Sequence, residues 1–465
     1  MNDLGIIDGK VFDGFKTYRA NIYIRDGRIT AITSDYLEAK ENYEVFGKYV
    51  MPGLIDPHVH FALSLGKYRS ADDFESGSVS AAFGGITTYI DFLDPITHEN
   101  EIDEKFLKRL EEAKNSHIDY SFHMTIAHPD IEPVTLAKRT LSLGINSIKT
   151  FTTYSTSNRM TGNGYILDLL AITKKYGIIE TFHAEDDAMI LYRSKMKEKH
   201  LPQDLPFLHP SESEASAAMS IATIAKLTDG QAYIVHNSSG FSVKMIEKLN
   251  ASENVRLETC PQYLVLNDAL YEKDDAYLYT LVPPLRSHLE SSYLYEAVEN
   301  RLISTVGTDH CPFKKDEKFE NKLDYDSMPN GIGGVETSFV LLYNENCSEK
   351  NVNDLVRLQS VNVAETFGLK NKGKIVVGAD ADIAIFDPSI QWTIGISNLH
   401  TKADYTPYEG KNVKGKFVSV ISRGRFVVKD GQFVGKRLRG KFVRRGKVFW
   451  PTRSGTPWFI REMNS

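Results

Sequence analysis

Eight short apolar segments, most of them separated by helix-like stretches, constrain this chain more than any other feature. The strand-like segments are YVMPGLIDPHVHF, ITTYIDFLDP, DYSFHMTIAHP, SIKTFTTY, IIETFHAED, AYIVHNSS, VRLETCPQYL and STVGTDHCPF. Between them lie ADDFESGSVSAAFGG, EIDEKFLKRLEEAKNS, GYILDLLAITKKYG, SEASAAMSIATIAKLTDG and LESSYLYEAVENRL. Near-continuous apolar strands alternating with helices predict a parallel sheet buried on both faces. Eight such units over a stretch of barrel length predict an α/β fold of the (β/α)8 TIM-type barrel class. A doubly wound open sheet is the competing architecture, but it ordinarily carries a Gly-rich phosphate loop after an early strand. Neither GxGxxG nor GxxxxGK[ST] occurs.

Both ends of the chain read differently from the middle. Runs such as ANIYIRDGRITAIT near the start and GKFVSVISRGRFVVKDGQFVG near the end alternate β-branched residues around Gly-bounded turns. These are strand and hairpin signals. Because chain termini often lie together, the two ends predict one small β-sandwich, from residues 1–50 and 374–465, the latter including a tail, around a barrel of residues 51–373. A chain of 465 residues would hold about three domains at the usual size; this reading gives two.

Composition narrows the class without naming the chemistry. The balance of 55 basic and 61 acidic residues gives a net charge of −6, against a nucleic-acid-binding footprint. Three scattered cysteines (Cys260, Cys311 and Cys347) are too few for a disulfide framework. The N-terminal residues lack the pattern of a signal peptide, and no apolar run approaches the length of a membrane span. A cytoplasmic enzyme acting on a small molecule is the expectation, with no nucleic-acid or membrane partner.

Six residues fall at or near the C-terminal ends of the predicted strands. His58 and His60 lie two apart, so both point to one side of the first strand. Lys149 ends the fourth strand, His183 the fifth, His236 the sixth and Asp309 the eighth. In a barrel those ends converge on the mouth, and imidazoles with a carboxylate gathered there suit zinc or another divalent metal. Singly, each residue has a plain structural reading. A strand-end histidine reads as a hydrogen-bonded core residue, Asp309 as a cap, and Lys149 as an ion-pairing lysine, because an ammonium has no lone pair to donate. A lysine ligates only after carbon dioxide converts it to a carbamate. Their joint placement on one face carries the metal reading. His123, His128, His288, His310 and His400 show no such pattern and read as structural or surface residues. Cys311 reads as buried packing, and the run EIDEKFLKRLEEAK as a solvated helix face.

The motifs holding these residues are recognisable as a set: PGLIDPHVH, SIKTFTTY, FHAED, IVHNSS, ETCPQYL, GTDHCPF, MPNGIGGVE and GKIVVGADADIAIFDP. In order and number they resemble those of the dihydropyrimidinase/hydantoinase group of cyclic amidohydrolases, within the amidohydrolase superfamily. The resemblance runs almost end to end. It implies two divalent ions, zinc first among candidates, with His58 and His60 on one and His183 and His236 on the other. Lys149, as N6-carboxylysine, would bridge them, and Asp309 would complete the first site. A hydroxide generated by the two cations would attack the ring carbonyl, and Asp309 would carry its proton to the departing nitrogen. Tyr154 would donate a hydrogen bond to the oxyanion. Main-chain groups at Val282 and Asn330 would align the ring. The implied reaction is hydrolytic opening of a 5,6-dihydropyrimidine or hydantoin to an N-carbamoyl amino acid, by a homotetramer.

The chain also departs from that group. FALSLGKYRS after His60, TTYSTSN after Lys149, and Val282 where serine is usual before PPLR all differ from the common pattern. An allantoinase or dihydroorotase is the sister reading, against which Tyr154 counts. Dihydroorotases also tend to place an arginine soon after the HxH pair, where Phe61 and Ala62 stand here. Arg69 or Arg159 would have to substitute for it. A non-catalytic scaffold of this fold is the reading from another class, and six competent ligand positions argue against it.

Overall fold

The computed structural model describes residues 1–251 and 253–450. Two sheets dominate it. The first takes β1 (Asn2–Phe12), β2 (Thr17–Arg25), β3 (Arg28–Thr33), β4 (Ala39–Glu44) and β5 (Tyr49–Pro52) from the start of the chain. The second begins at β6 (Leu54–Asp56), is interrupted by a small hairpin of β7 (Ser64–Leu65) and β8 (Tyr68–Arg69), and resumes with β9 (Ile86–Phe92). After the short β10 (Ile96–His98) come β11 (Asp119–Asp130), β12 (Ser147–Phe151), β13 (Ile179–His183), β14 (Ala232–Ile234), β15 (Val255–Thr259) and β16 (Thr305–Val306). The chain then returns to the first sheet with β17 (Ile383–Thr393), β18 (Asn412–Ser422), β19 (Arg425–Lys429) and β20 (Gln432–Phe433).

The second sheet runs β6-β9-β11-β12-β13-β14-β15-β16, every pairing parallel. A parallel bridge between Val59 and His310, just past β6 and β16, closes it into the expected barrel. Asp56 stitches the same seam: its carboxylate accepts from the Thr308 N–H at 3.1 Å and the Thr308 hydroxyl at 2.6 Å. Strands β9 and β13 are buried along their whole length, as a stave covered on both faces must be. Helices pack outside, and local chemistry sets their ends. The helix Phe74–Phe83 starts at a capping box in which Asp73 accepts from the Ser76 N–H at 2.8 Å and Ser76 Oγ accepts from the Asp73 N–H at 3.2 Å. The helix Ser211–Thr228 lays a stripe of Ala218, Ile221, Ala222 and Ala225 against the barrel and stops at Asp229 in the left-handed conformation.

The terminal strands form one nine-stranded sheet, mostly antiparallel, in which β5 joins β1 to β17. It closes over a core of Ile6, Ile22, Val50, Ile383 and Ile421, drawn from both chain ends. Beyond β20 the chain leaves this sheet and crosses the N-terminal ends of the staves. The Gly440 N–H donates to Ser116 O at 2.7 Å, that of Arg445 to Gly144 O at 2.7 Å, and that of Val448 to Gly177 O at 2.9 Å. Arg445 points into the barrel, 2% exposed, its Nε donating to Ser121 Oγ at 2.8 Å and an Nη to Ser147 Oγ at 3.1 Å. Burial pulls its pKa down to about 9. Residues 451–465, the end of the segment assigned to the β region, lie outside the described residues. Among the described residues no helix is long and apolar enough to cross a membrane.

Candidate active site

A cavity of about 850 Å³ opens at the C-terminal ends of the staves. His58, His60, Lys149, His183, His236 and Asp309 all line it, as do Tyr154, Val282 and Asn330. The local backbone there is strained. Tyr154, His236 and Asp309 hold φ of 70°, 40° and 52°, conformations that cost a non-glycine residue about 1–3 kcal/mol each and cluster at functional sites.

On one side, His58 Nε2, His60 Nε2 and Asp309 Oδ1 form a triangle. The two nitrogens are 3.2 Å apart, and the carboxylate oxygen lies 3.2 Å from His58 and 3.1 Å from His60. The three atoms are close enough together to hold a metal ion. The His236 ring lies 5.4 Å from that of His58 and 4.7 Å from that of His183, so the second histidine pair adjoins the first. Lys149 is buried, its Nζ 5.4 Å from the Phe92 ring and 5.5 Å from that of Phe151, and it makes no ion pair among the described residues.

Electrostatics follow from that burial. Burial lowers the Lys149 pKa to about 8, against the opposing pull of Asp309 and Glu258, so more of the amine is neutral near neutral pH than in an exposed lysine. For His58, burial works downward, but Glu258 and Asp309 outweigh it and lift the pKa to about 9. Burial likewise raises the Asp309 carboxyl, yet His58 and His60 hold it well below the usual range. Burial and the Glu185 charge keep the Tyr154 phenol protonated well above its ordinary pKa, so it stays a donor. Its ring is 5.0 Å from that of His183.

Several residues that hold this site escaped the sequence reading. Glu258 Oε1 lies 2.7 Å from His58 Nδ1, and Glu185 bridges His183 (2.6 Å) and His209 (2.9 Å). The helix Ile102–Ala113 keeps most of its charged run in solvent, as read, with Arg109 the exception. Arg109, 2% exposed, pairs with buried Asp91 at 2.6 Å and donates to Phe61 O at 2.9 Å and Phe92 O at 3.0 Å. Asp91 also accepts from the Phe61 N–H, so a long-range ion pair fixes the turn after His60. A buried carboxylate on β9 needs such a partner, and no local spacing announces it. An acid at a strand end (Glu258) and an acid two residues past a strand-end histidine (Glu185) were the available signals.

The histidines read as structural are placed accordingly where they are buried. His123 accepts from Ser147 Oγ (2.7 Å) and donates to Pro57 O (2.9 Å), and His310 pairs with Asp72 at 2.9 Å. Cys311 is buried at the cavity wall. The departures from the familial pattern border the cavity through Leu63, Leu65, Lys67, Thr153, Thr156 and Ser157. Of the two arginines able to replace the missing one, Arg159 lines the cavity, whereas Arg69 points to Glu112 at 3.3 Å.

Residues 49–427 match the model of the amidohydrolase family. The chain is 36% identical to a D-hydantoinase of Geobacillus stearothermophilus, over 95% of this chain and 96% of that protein. It is 34% identical to a D-phenylhydantoinase of Escherichia coli, over 88% and 90%. Among solved structures, the dihydropyrimidinase of Brevibacillus agri superposes with a TM-score of 0.91 at 32% identity, covering 97% of this chain and 100% of the other. With a barrel closed at Val59 and His310 and a His-His-Asp triangle at its mouth, the chain belongs to the amidohydrolase family, in its hydantoinase and dihydropyrimidinase group.

Proposed function

We propose that the chain catalyses hydrolytic ring opening of a cyclic ureide, a hydantoin or 5,6-dihydropyrimidine, to an N-carbamoyl amino acid. The observation that carries this reading is the gathering of four histidines, Asp309 and a buried lysine with no ion pair among the described residues around one cavity. The donor set fits divalent metal. Glu258 engages His58 through Nδ1, leaving Nε2 for the cavity side, and the buried His60 Nδ1 has no partner among the described residues. Nitrogen and oxygen donors of this kind favour zinc. His58, His60 and Asp309 would hold one ion and His183 and His236 a second. Lys149 would join them as N6-carboxylysine, because a carbamate supplies the anion that this buried amine lacks. When bound, the ions supply an acidified water and a Lewis acid for the carbonyl.

The chain's own groups do the rest. Water adds its oxygen to the ring carbonyl carbon, and the carbon–nitrogen bond breaks. Asp309 Oδ1 faces the two histidines, and its Oδ2 is the oxygen left to take the water proton and pass it to the departing ring nitrogen. Tyr154 donates its phenolic hydrogen to the oxyanion. Main-chain groups of Val282 and Asn330 orient the ring through its N–H and C=O groups, in keeping with their place on the cavity wall.

The test is a panel of hydantoin, dihydrouracil, allantoin and dihydroorotate on metal-loaded enzyme. Opening of hydantoin or dihydrouracil is expected. Turnover of only the last two would replace this reading with an allantoinase or dihydroorotase.

A further inference from the structure

Outside the metal donors, next to the loops that carry Val282 and Asn330 to the cavity, lies a buried lysine with no acidic partner among the described residues. Lys318 lies in the short helix Lys315–Phe319 and is fully shielded from solvent. Its Nζ donates to Thr280 O at 2.9 Å and to Thr280 Oγ1 at 2.8 Å, and it makes no ion pair among the described residues. A methionine would fill the same space without the cost of burying an amine. The polar choice is therefore informative about what it grips.

Thr280 is two residues before Val282. Its carbonyl oxygen accepts a second hydrogen bond, from the Gly331 N–H at 3.0 Å, and Gly331 follows Asn330. One carbonyl thus ties the loop carrying Val282 to the loop carrying Asn330, with Lys318 locking its direction. The Thr280 hydroxyl continues the grip by donating to Tyr277 O at 3.1 Å. Gly331 leaves no slack: its φ is 142°, and a Cβ there would fall 2.3 Å from Cys311 O. The Cys311 N–H in turn donates to Ile332 O at 3.0 Å, bringing in the segment that follows Asp309.

We propose that Lys318 is a positioning residue for substrate, clamping through Thr280 the two loops whose main-chain groups at Val282 and Asn330 align the ring. The proposal rests on the ureide-opening reading above. Lys318 touches neither metal donors nor substrate, so its effect falls on ring alignment and leaves the metal centre intact.

The test is steady-state kinetics of metal-loaded Lys318→Met with hydantoin and dihydrouracil, beside metal content and thermal unfolding. KM is expected to rise about tenfold, the worth of one lost hydrogen bond, with kcat changed less than about threefold. Metal content should stay at the wild-type value. Thr280→Ser, which keeps both acceptors, should retain wild-type KM. Thr280→Val, which loses only the hydroxyl, should raise KM by a smaller factor, and it carries the test if Lys318→Met does not fold. An unchanged KM in Lys318→Met, or in Thr280→Val if the former does not fold, overturns the clamp. So does a joint fall of kcat, metal content and stability. A wild-type enzyme that opens no cyclic ureide overturns the underlying reading instead.

Discussion

Glu258 and His58 are 200 residues apart in the chain and 2.7 Å apart in the fold, carboxylate oxygen to Nδ1. The same oxygen accepts the main-chain N–H of His236 at 3.0 Å, and the other takes the Tyr233 hydroxyl at 2.7 Å. One buried carboxylate therefore orients the His58 ring and anchors the main chain at His236, one residue from each half of the proposed metal centre. Outer carboxylates of this kind typically contribute 10–100-fold in metal affinity. Glu258→Gln should weaken metal binding by about that factor in a chelator-competition titration. Wild-type affinity would show that the His58 ring needs no such orienter.

Lys149→Ala should remove both activity and at least one ion per chain, read by elemental analysis and turnover. Short carboxylic acids added to that variant should restore part of the activity by standing in for the carbamate. Full metal occupancy with wild-type turnover would remove Lys149 from the centre.

Tyr154 is held at a positive φ beside His183, with its phenol kept protonated. Tyr154→Phe should lower kcat by about 10²–10³-fold, the usual cost of one oxyanion donor. An unchanged kcat would assign oxyanion stabilisation to metal alone.

Asp72 joins the segment after β6 to the loop before β18. It pairs with His310 at 2.9 Å and accepts from the Lys402 N–H at 2.8 Å and from Thr401 Oγ1. Burial pushes its carboxyl up, but these partners outweigh burial and hold the pKa below the ordinary value. A carboxylate with a depressed folded pKa contributes its full stabilisation above the unfolded value and loses it as pH falls through the folded one. Urea unfolding should therefore show stability declining below about pH 4. Asp72→Asn should be about 3 kcal/mol less stable at pH 7, with a shallower decline in acid. The same acid slope in both proteins would discharge Asp72 from this role.

How far the chain could be read without coordinates follows from the range of each interaction. His58, His60, Lys149, His183, His236 and Asp309 were legible because a strand's direction, written within a few residues, decides which end of a barrel it serves. The seam at Asp56 and Thr308, the Arg109–Asp91 pair and the Lys318–Thr280 contact were not legible. Each joins groups 18 to 252 positions apart, and nothing in the local pattern of either partner names the other. The tail was equally silent, since nothing local in KFVRRGKVFW shows that Arg445 sits inside the barrel.

That tail carries a consequence for biosynthesis. The segment 440–450 emerges from the ribosome only after all eight staves and is the part that seals the N-terminal ends of β11, β12 and β13 through backbone hydrogen bonds. Asn146 and Gln231 side chains add grips on Gly446 O and Val448 O. A nascent chain halted before residue 440 holds every proposed catalytic group yet exposes the underside of its barrel to water. Emergence of segment 440–450, and not synthesis of the active centre, is then the step that covers the underside of the barrel.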